Sequence, residues 1–401
     1  MLHKKKLLAL ALASAAAVPA MSHAQSSNVT LYGRFYPEMV VGRGTGGTAP
    51  GTPLATMSNA AGSPGNSATQ YIVQANNSRL GVKGKEKITG SLTAIFQLEN
   101  RIDVDTGGST LASRDTFVGL ESEVWGTVKL GVFDTVYKEL GDNISLVGVG
   151  SGNFVSNSTV LSKIPLGTSS SASFHLRRGN SVQYETPDFR GFSALVQYSP
   201  DEAKTDQRNA DLVSTGVKYE NGPLTASLAF EQHRDLFGGS RNSRSALSNA
   251  SDLNARSKDR AVRGMLQYTM GRTTFEVDVA HLEWKETGGA TGKFQKYDHY
   301  SYLVGVDHRM GPWRFGASYI YGAKGDCSLV GGANCSTDGL DGSQINLGAA
   351  YSLSKRTYLF LIAARLNNGK SARYDNSDWL GSGLQPGMDI TQGALGISHS
   401  F

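Results

Sequence analysis

The chain of 401 residues has little of what a helical membrane protein or a metalloenzyme needs. Beyond residue 24 there is no run of about 18 apolar residues, so the sequence predicts no transmembrane helix. No HExxH or GxSxG motif occurs among its residues. Cysteine occurs only at Cys327 and Cys335, without a neighbouring histidine. This spacing favours a disulfide closing a Gly-rich loop over a metal site.

The surplus of positive charge is also small once the N-terminus is set apart. The whole chain carries a formal charge of +5, and the first 24 residues contribute three Lys and no acidic residue, which leaves +2 for the rest. No block of Lys or Arg interrupts the remaining sequence. Binding to nucleic acid is therefore not predicted.

The N-terminus has the pattern of an export signal. Lys4, Lys5 and Lys6 precede an apolar run from Leu7 to Val18, which is shorter than the ~20 residues that cross a membrane. We expect cleavage after Ala24, so residues 1–24 form the signal peptide and residues 25–401 a single exported domain.

What the sequence does have is a long succession of strand signals. They alternate between apolar and polar residues, and the connections between them alternate between tight turns and long Gly/Ser/Asn-rich loops. Short and long connections in turn are typical of an all-β, up-and-down transmembrane barrel. We predict sixteen antiparallel strands: 28–43, 69–87, 90–104, 111–122, 125–135, 177–187, 190–200, 208–220, 223–236, 257–270, 271–287, 294–310, 311–325, 341–354, 355–370 and 388–401.

The final strand ends on an aromatic residue. Leu395, Ile397, His399 and Phe401 share one parity, and small or polar residues occupy the other. We interpret Phe401 as an assembly signal read by a barrel-assembly machinery. Further aromatic residues near strand ends predict girdles facing lipid headgroups: Trp313, Phe315, Tyr319, Tyr321, Tyr358 and Phe360.

Strand parity also predicts which side chains face the lumen, because a charge facing lipid near the midplane costs about 2–4 kcal/mol. Tyr32, Arg34, Tyr36 and Glu38 would face inward on the first strand, and Arg79 and Lys83 on the second. An outward Phe117 would place Arg114 and Thr116 inside. Outward Val182 and Tyr184 would place Arg177, Gly179, Ser181, Gln183 and Glu185 inside.

Several segments together resemble the trimeric general porins of Gram-negative β-proteobacteria. They lie in the family's order over most of the chain: VTLYGR (29–34), SRLGVKGKE (78–86), FQLEN (96–100), SRDTFVGLES (113–122), WGTVKLGVFDTVYK (125–138), NSVQYETPDFRGFSALVQYS (180–199), YENGPLTASLAF (219–230), LSKRTYLFL (353–361) and GISHSF (396–401). The resemblance implies a sixteen-stranded barrel in the outer membrane, a homotrimer, passive diffusion of small hydrophilic solutes, and a third loop (136–176) folded into the lumen as the constriction loop.

The resemblance also implies a site. Arg79, Arg114 and Arg177 match a basic cluster that lines the constriction of anion-selective members, and parity adds Arg34. A narrow aqueous pore lined by guanidinium groups attracts anions. We expect acidic residues of the third loop, Asp134, Glu139 and Asp142, to oppose them. Val132 stands where many members have a further Arg, and further acidic residues are expected in the lumen: Glu99, Asp103, Glu231, Glu276 and Asp278.

Three other functions remain as alternatives. A substrate-specific channel would need an ordered track of inward aromatics, whereas Tyr32, Tyr36 and Phe133 are scattered. A barrel enzyme or an adhesin would need a catalytic triad or aromatic loops. No cofactor or metal is predicted, and no loop has the spacing of a calcium site. The expected partners are the chain itself, lipid and lipopolysaccharide of the outer membrane, the assembly machinery, and small anionic or polar solutes.

Overall fold

The computed structural model describes residues 28–58, 65–141, 143–144, 146–148, 153–167, 173–202, 205, 208–242, 245–380 and 383–401. The predicted signal peptide, residues 1–24, lies outside the described residues. None of the helices within the described ranges is long and apolar enough to cross a membrane.

Strands make up most of the described chain, as the alternating pattern predicts. They are β1 (Asn28–Phe35), β2 (Glu38–Thr45), β3 (Gln70–Gln74), β4 (Arg79–Lys87), β5 (Leu92–Asp103), β6 (Gly108–Thr110), β7 (Thr116–Ser122), β8 (Gly126–Asp134), β9 (Arg177–Glu185), β10 (Phe192–Pro200), β11 (Asp211–Asn221), β12 (Leu224–Arg234), β13 (Arg256–Met270), β14 (Thr273–Thr287), β15 (Phe294–Met310), β16 (Trp313–Gly322), β17 (Asp326–Leu329), β18 (Gly342–Ser352), β19 (Thr357–Asn368) and β20 (Asp389–Ser400). Short 3-10 helices lie at Gly239–Asn242 and Ser245–Leu247.

These segments form a closed antiparallel barrel of sixteen staves, which confirms the predicted fold class. A stave here is one full-length strand of the barrel wall, whether it is continuous or divided into two shorter strands. Two staves are interrupted: β1 and β2 make the first, and β3 and β4 the second. The first breaks at Pro37, which has no N–H to donate to the ladder, although its carbonyl still accepts the Ile397 N–H at 3.2 Å. Both β1 and β2 pair with β20 and so close the barrel. The short strands β6 and β17 extend the wall at its loop end.

Outward-facing and inward-facing side chains alternate along the staves. On the fifteenth stave, β19, two side chains face the opposite way from the prediction. The girdle residues Trp313, Phe315, Tyr319 and Tyr321 of β16 are exposed on the outer surface, as predicted. Tyr358 and Phe360 were expected beside them, but that prediction is wrong, because Leu359 and Leu361 take the outer face of β19. Phe360 is 2% exposed, and its ring stacks on Tyr36 inside the barrel at 4.3 Å.

The third loop folds into the lumen, which confirms that part of the prediction. Among its described residues, it contains two single-turn helices, α1 (Val136–Glu139) and α2 (Ser158–Leu161). The wall holds it by hydrogen bonds to its backbone. The Tyr137 N–H donates to Ser214 Oγ at 2.9 Å, and the Ser301 hydroxyl donates to the Val160 carbonyl at 3.2 Å.

The apolar core therefore lies inside the barrel, between the third loop and one side of the wall. Phe174, near the end of the loop, stacks on His233 with ring centroids 4.7 Å apart and also contacts Trp284. Trp284 and Tyr297 are fully buried. A second buried apolar cluster, which includes Tyr36, Phe154 and Phe360, packs the loop against the first and last staves. Three ion-paired arginines are left on the side formed by β4 to β9.

The C-terminal residue packs on the first strand. The Phe401 N–H donates to the Gly33 carbonyl at 3.1 Å, and its ring centroid lies 5.3 Å from that of Phe35. A Cβ on Gly33 would stand 2.3 Å from the Phe401 ring, so the close approach requires glycine there. Cys327 and Cys335 are joined as a disulfide with Cα atoms 5.7 Å apart.

Candidate functional site: a basic constriction

Arginines from neighbouring staves meet on the inner wall. Arg34 of β1 lies directly opposite Arg79 of β4, and Arg79 lies opposite Arg101 of β5. Like charges in adjacent register positions repel one another, so this row costs stability. The Arg34 guanidinium is held by the Gly148 carbonyl of the third loop at 2.8 Å and by the Tyr358 hydroxyl at 2.6 Å. Its partners are neutral, so it keeps its full charge toward the lumen.

Glu99 of β5 is the acidic residue that the side chains of the next group share. Its carboxylate accepts from Arg114 Nε and from the Tyr32 hydroxyl at 3.0 Å, and it lies 3.8 Å from Arg79 Nη1. One carboxylate therefore faces two guanidinium groups. Arg79 and Arg114 remain partly exposed to the lumen, at 26% and 20% of their side chains.

Arg177 of β9 belongs to the same cluster and contacts two carboxylates. Its Nε donates to Asp115 at 2.5 Å, and its Nη2 lies 2.8 Å from Asp134. Asp134 is shared with Lys138 of α1, at 2.9 Å. The structure thus brings Arg34, Arg79, Arg114 and Arg177 to one side of the lumen, where the sequence predicts them.

Arg114 faces the lumen for a different reason from the one that strand parity predicted. Phe117 does not face outward: Val118 and Leu120 do, at 60% and 46% exposure. The Phe117 ring instead packs edge-on against Phe133, with centroids 6.3 Å apart. Arg114 still points inward because it precedes β7 in an irregular segment, where strand parity does not apply.

The acidic residues of the third loop do not stand across the pore as a set. Asp134 ends β8 and is the ion-pair partner of Arg177 on the same side. Glu139 lies in the lumen and accepts a hydrogen bond from Gln183 at 3.3 Å. Desolvation by the surrounding barrel raises the pKa of the Glu139 carboxyl above its ordinary value, helped by Glu185 and opposed by Lys129. Asp142 lies outside the described residues.

Three charged residues of the site were missed. Arg101 shares the inward parity of Glu99 and could have been found from it. Asp115 and Lys138 had no such signal, since they lie outside the regular strands and their roles come from contacts with Arg177 and Asp134.

The balance of charge at the constriction is positive. Within the described ion-paired cluster, six cationic groups (Arg34, Arg79, Arg101, Arg114, Arg177 and Lys138) stand against four carboxylates (Glu99, Asp103, Asp115 and Asp134), and Glu139, outside the cluster, adds a fifth negative charge to the lumen. The other acidic residues expected in the lumen, Glu231, Glu276 and Asp278, face inward but are buried. They lie on the third-loop side of the core and are not exposed to the open path.

A polar cavity of about 410 Å³ lies on the loop side of this cluster. Charged residues of both signs line it, among them Arg101, Lys163, Arg373, Asp375 and Asp378. No group of three or more His, Cys, Asp or Glu side chains that could hold a metal is found within the described part of the chain. The cavity and the cluster together line a polar, charged part of the lumen.

A closed barrel with an apolar outer band and a charged lumen, narrowed by an inward loop, is a membrane channel. The model of the Gram-negative porin family matches residues 10–371, so the chain belongs to that family.

Relatives of known identity agree with this assignment. The chain is 29% identical to outer membrane porin protein 32 of Delftia acidovorans over 341 residues, which cover 82% of this chain and 85% of the relative. It is 27% identical to major outer membrane protein P.IB of Neisseria lactamica, covering 92% and 95%. In fold it is similar to the anion-selective porin from Comamonas acidovorans, with a TM-score of 0.68 at 22% identity, covering 94% and 100%.

The protein is thus an outer-membrane porin of a Gram-negative bacterium that forms a water-filled channel. Its family and fold are those of a channel and not of an enzyme.

Proposed function

We propose that this porin is a general diffusion pore that prefers anions, and that Arg34, Arg79, Arg114 and Arg177 set the preference. The observation that carries the proposal is the excess of cationic side chains over carboxylates in the basic cluster on the inner wall, where one carboxylate, Glu99, faces both Arg79 and Arg114. Arginine stays charged at any working pH, so the field persists. The structural neighbour from Comamonas acidovorans is an anion-selective porin, which is in accord with the proposal.

A general pore fits better than a substrate-specific one. A sugar-type channel would need a line of exposed aromatic rings along the path. The inner rings Tyr36 and Phe360 stack on each other but are 0% and 2% exposed. They support the third loop and cannot stack on a permeating solute. Small organic acids and inorganic anions are the solutes that the basic cluster favours.

The test is single-channel recording of the purified protein in a planar bilayer under a KCl gradient. We expect a reversal potential that favours chloride, and a smaller preference as the salt concentration rises, because screening shortens the reach of the arginines. A reversal potential that favours potassium would refute the anion preference while leaving the channel intact.

We further propose that three copies assemble, through the outer face of β1–β3. That face is apolar and exposed, with Leu31, Met39, Tyr71 and Val73 each more than 60% accessible. Conductance in steps of three, together with the mass of the detergent-extracted particle, would test the assembly.

The remaining proposals concern maturation. We expect removal of residues 1–24 to leave residues 25–401 as the barrel domain, recognition of Phe401 by the assembly machinery, and an oxidised Cys327–Cys335 pair. Intact-mass measurement of the protein extracted from outer membranes, without and with a reductant, would show the cleavage site and the disulfide together.

A further inference from the structure

Three arginines form a row on the inner wall, on staves that do not carry the basic constriction. Arg309 of β15 lies directly opposite Arg314 of β16. On its other side, the Arg309 N–H donates to the carbonyl of Arg272, which immediately precedes β14, at 3.0 Å. The three residues thus occupy consecutive register positions on three neighbouring staves. Side chains directly opposite each other have Cβ atoms only about 5 Å apart, so this arginine row is self-repulsive.

The arginine row faces the lumen and not the lipid. Met310 of β15 and Trp313 of β16 are exposed on the outer surface of the barrel. Arg309 and Arg314 have the opposite parity on the same strands, so their side chains point inward. The row therefore contributes to the field that a permeating ion meets.

A cavity of about 360 Å³ accompanies the row. The three arginines and Asp307 line it on the side of the wall, and Asn143 and Ile144 line it on the side of the third loop. The turn at Gly271 is also part of its lining. Tight turns mark the periplasmic end in this class of barrel. The cavity thus lies on the periplasmic side of the third loop.

Positive charge is in excess at this cavity. Asp307 is the one carboxylate among the described lining residues, and it accepts from Arg314 Nε at 2.7 Å. No ion pair is found for Arg272 or Arg309 within the described part of the chain. Glu276, the next acidic residue on β14, is buried and does not line the cavity. Three guanidinium groups and one carboxylate leave two positive charges facing the cavity.

The third loop connects the arginine row to the basic constriction. The Gly148 carbonyl accepts from Arg34 Nη1 at 2.8 Å. On the other side of Gly148, a Cβ built on this residue would lie 3.7 Å from Arg314 Nη1. Gly148 therefore lies between one guanidinium of the constriction and one of the row. Positive charge continues along the wall from the constriction toward the periplasmic exit.

We propose that the arginine row binds small oxyanions that carry two negative charges, such as inorganic phosphate and dicarboxylates, on the periplasmic side of the constriction. The planar donors of arginine match the oxygens of phosphate and carboxylate, and one such anion can be shared by two guanidinium groups. A dianion neutralises the two excess charges and relieves the repulsion within the row. This binding site presupposes the proposed anion preference of the pore and adds to it a class of solute.

The experiment compares the wild type with an Arg272→Gln/Arg309→Gln variant in planar bilayers. Phosphate, succinate or acetate is titrated against the single-channel chloride current at constant ionic strength. The pH is about 8, where phosphate is mainly a dianion and succinate is fully ionised. The quantity read is the anion concentration that gives half of the maximal decrease in current. The matched control is Arg190→Gln/Lys355→Gln, which removes two exposed cations from other tight turns.

The charge of the anion sets the expected change. One guanidinium charge at about 5 Å contributes about fivefold to the binding of a dianion at about 0.1 M salt. The half-effect concentrations of phosphate and succinate should therefore rise about 25-fold in the double variant, and that of the singly charged acetate only about fivefold. A change in the shape of the cavity alone would shift all three anions by the same factor. The control should respond like the wild type, and Arg272→Lys/Arg309→Lys should keep the stronger response to dianions, because it keeps the charge.

Thermal unfolding in detergent measures binding without the pore current. Without added anion, the Arg272→Gln/Arg309→Gln variant should melt at the same or a higher temperature than the wild type, because the repulsion within the row has gone. Phosphate should then raise the Tm of the wild type more than that of the variant.

Four results would overturn the proposed site. They are equal half-effect concentrations in the double variant and the wild type, an equal shift for acetate and the dianions, an equal gain in Tm with phosphate for both proteins, and a response to only one of the two dianions. The reversal potential of the wild type in KCl is recorded separately. A potential that favours potassium would refute the proposed anion preference itself, so the two failures are distinguishable.

Discussion

The charge of Arg79 gives the sharpest prediction for the pore. Its side chain is about one quarter exposed, and its ion-pair distance to Glu99, 3.8 Å, is long. A permeating ion that passes about 6 Å from the guanidinium interacts with it by about 0.7 kcal/mol at the dielectric constant of water, or by about 0.4 kcal/mol after screening at about 0.1 M salt. The charge attracts chloride and repels potassium by that amount, so the permeability ratio depends on it about fourfold.

We therefore expect Arg79→Gln to lower the ratio of chloride to potassium permeability about fourfold. Glu99→Gln removes a negative charge at the same place and should raise the ratio by a similar factor. The assay is the reversal potential under a KCl gradient, measured on folded, heat-resistant protein. Lys355→Gln, on an exposed turn outside the lumen, serves as the control and should leave the ratio unchanged.

The opposite signs make the reasoning refutable. If the substitutions acted by changing the shape of the pore, the single-channel conductance would change in both variants. The chloride-to-potassium permeability ratios of the two variants would then not be expected to shift in opposite directions. If both substitutions shift the ratio in the same direction, or if neither shifts it, the selectivity does not come from this cluster. An Arg79→Lys variant keeps the charge and should keep most of the ratio, although it loses the planar donor geometry.

Four further predictions concern the loops and the terminus. Acidification from about pH 7.5 to about pH 4.5 should raise the chloride preference, because protonation of Glu139 removes a negative charge from the lumen. The pKa of Glu139 lies above its ordinary value, so this carboxyl should be protonated early in the acidification. In a Glu139→Gln variant, the early part of the rise in chloride preference should be absent. Asn346→Ala removes the 3.0 Å bond to the Val155 carbonyl, worth about 1 kcal/mol, and should increase open-channel noise in bilayer recordings. Reduction of Cys327–Cys335 should speed proteolysis of residues 326–340 without changing conductance, since the disulfide stabilises a short loop by about 2.5 kcal/mol. Deletion of Phe401 removes its bonds to Gly33 and should lower the yield of heat-resistant barrel on gels.

The sequence was sufficient to predict the wall of the barrel. Alternation of apolar and polar residues is a local signal, so all sixteen staves were found within a few residues of their observed ends. Breaks such as the one at Pro37 were not predicted, because two short strands in line have the same alternation as one long strand.

Strand parity gave the wrong side-chain direction where consecutive residues are all apolar or where the barrel wall is irregular. The run Phe117-Val118 allows either residue to face lipid, and only the contact of Phe117 with Phe133 decides between them. Phe360 was misplaced because an aromatic residue near a strand end resembles a girdle residue, whereas here its stacking on Tyr36 decides its direction. Both decisions depend on residues far away in the chain.

The constriction itself was only half predictable. Arg34, Arg79 and Arg177 follow from strand parity, and Arg114 follows from the family pattern alone. Asp115, which pairs with Arg177, and Lys138, which shares Asp134 with Arg177, lie outside regular strands. The position of the third loop depends on contacts such as that of Gln344 with the Phe154 carbonyl at 3.0 Å, across 190 residues of chain. No local pattern carries that information.

These long-range contacts also set an order of events during assembly. The third loop is synthesised early, yet the wall that holds Phe154 and Val155 includes β18, near the C-terminus. Closing contacts across so long a stretch is slow and follows the local hairpins. A nascent barrel that lacks its last staves would therefore have a wide and unselective opening. We therefore expect the narrow, charged passage to form only when β20 closes against β1, so that any leak through an incomplete barrel ends with the step that completes the wall.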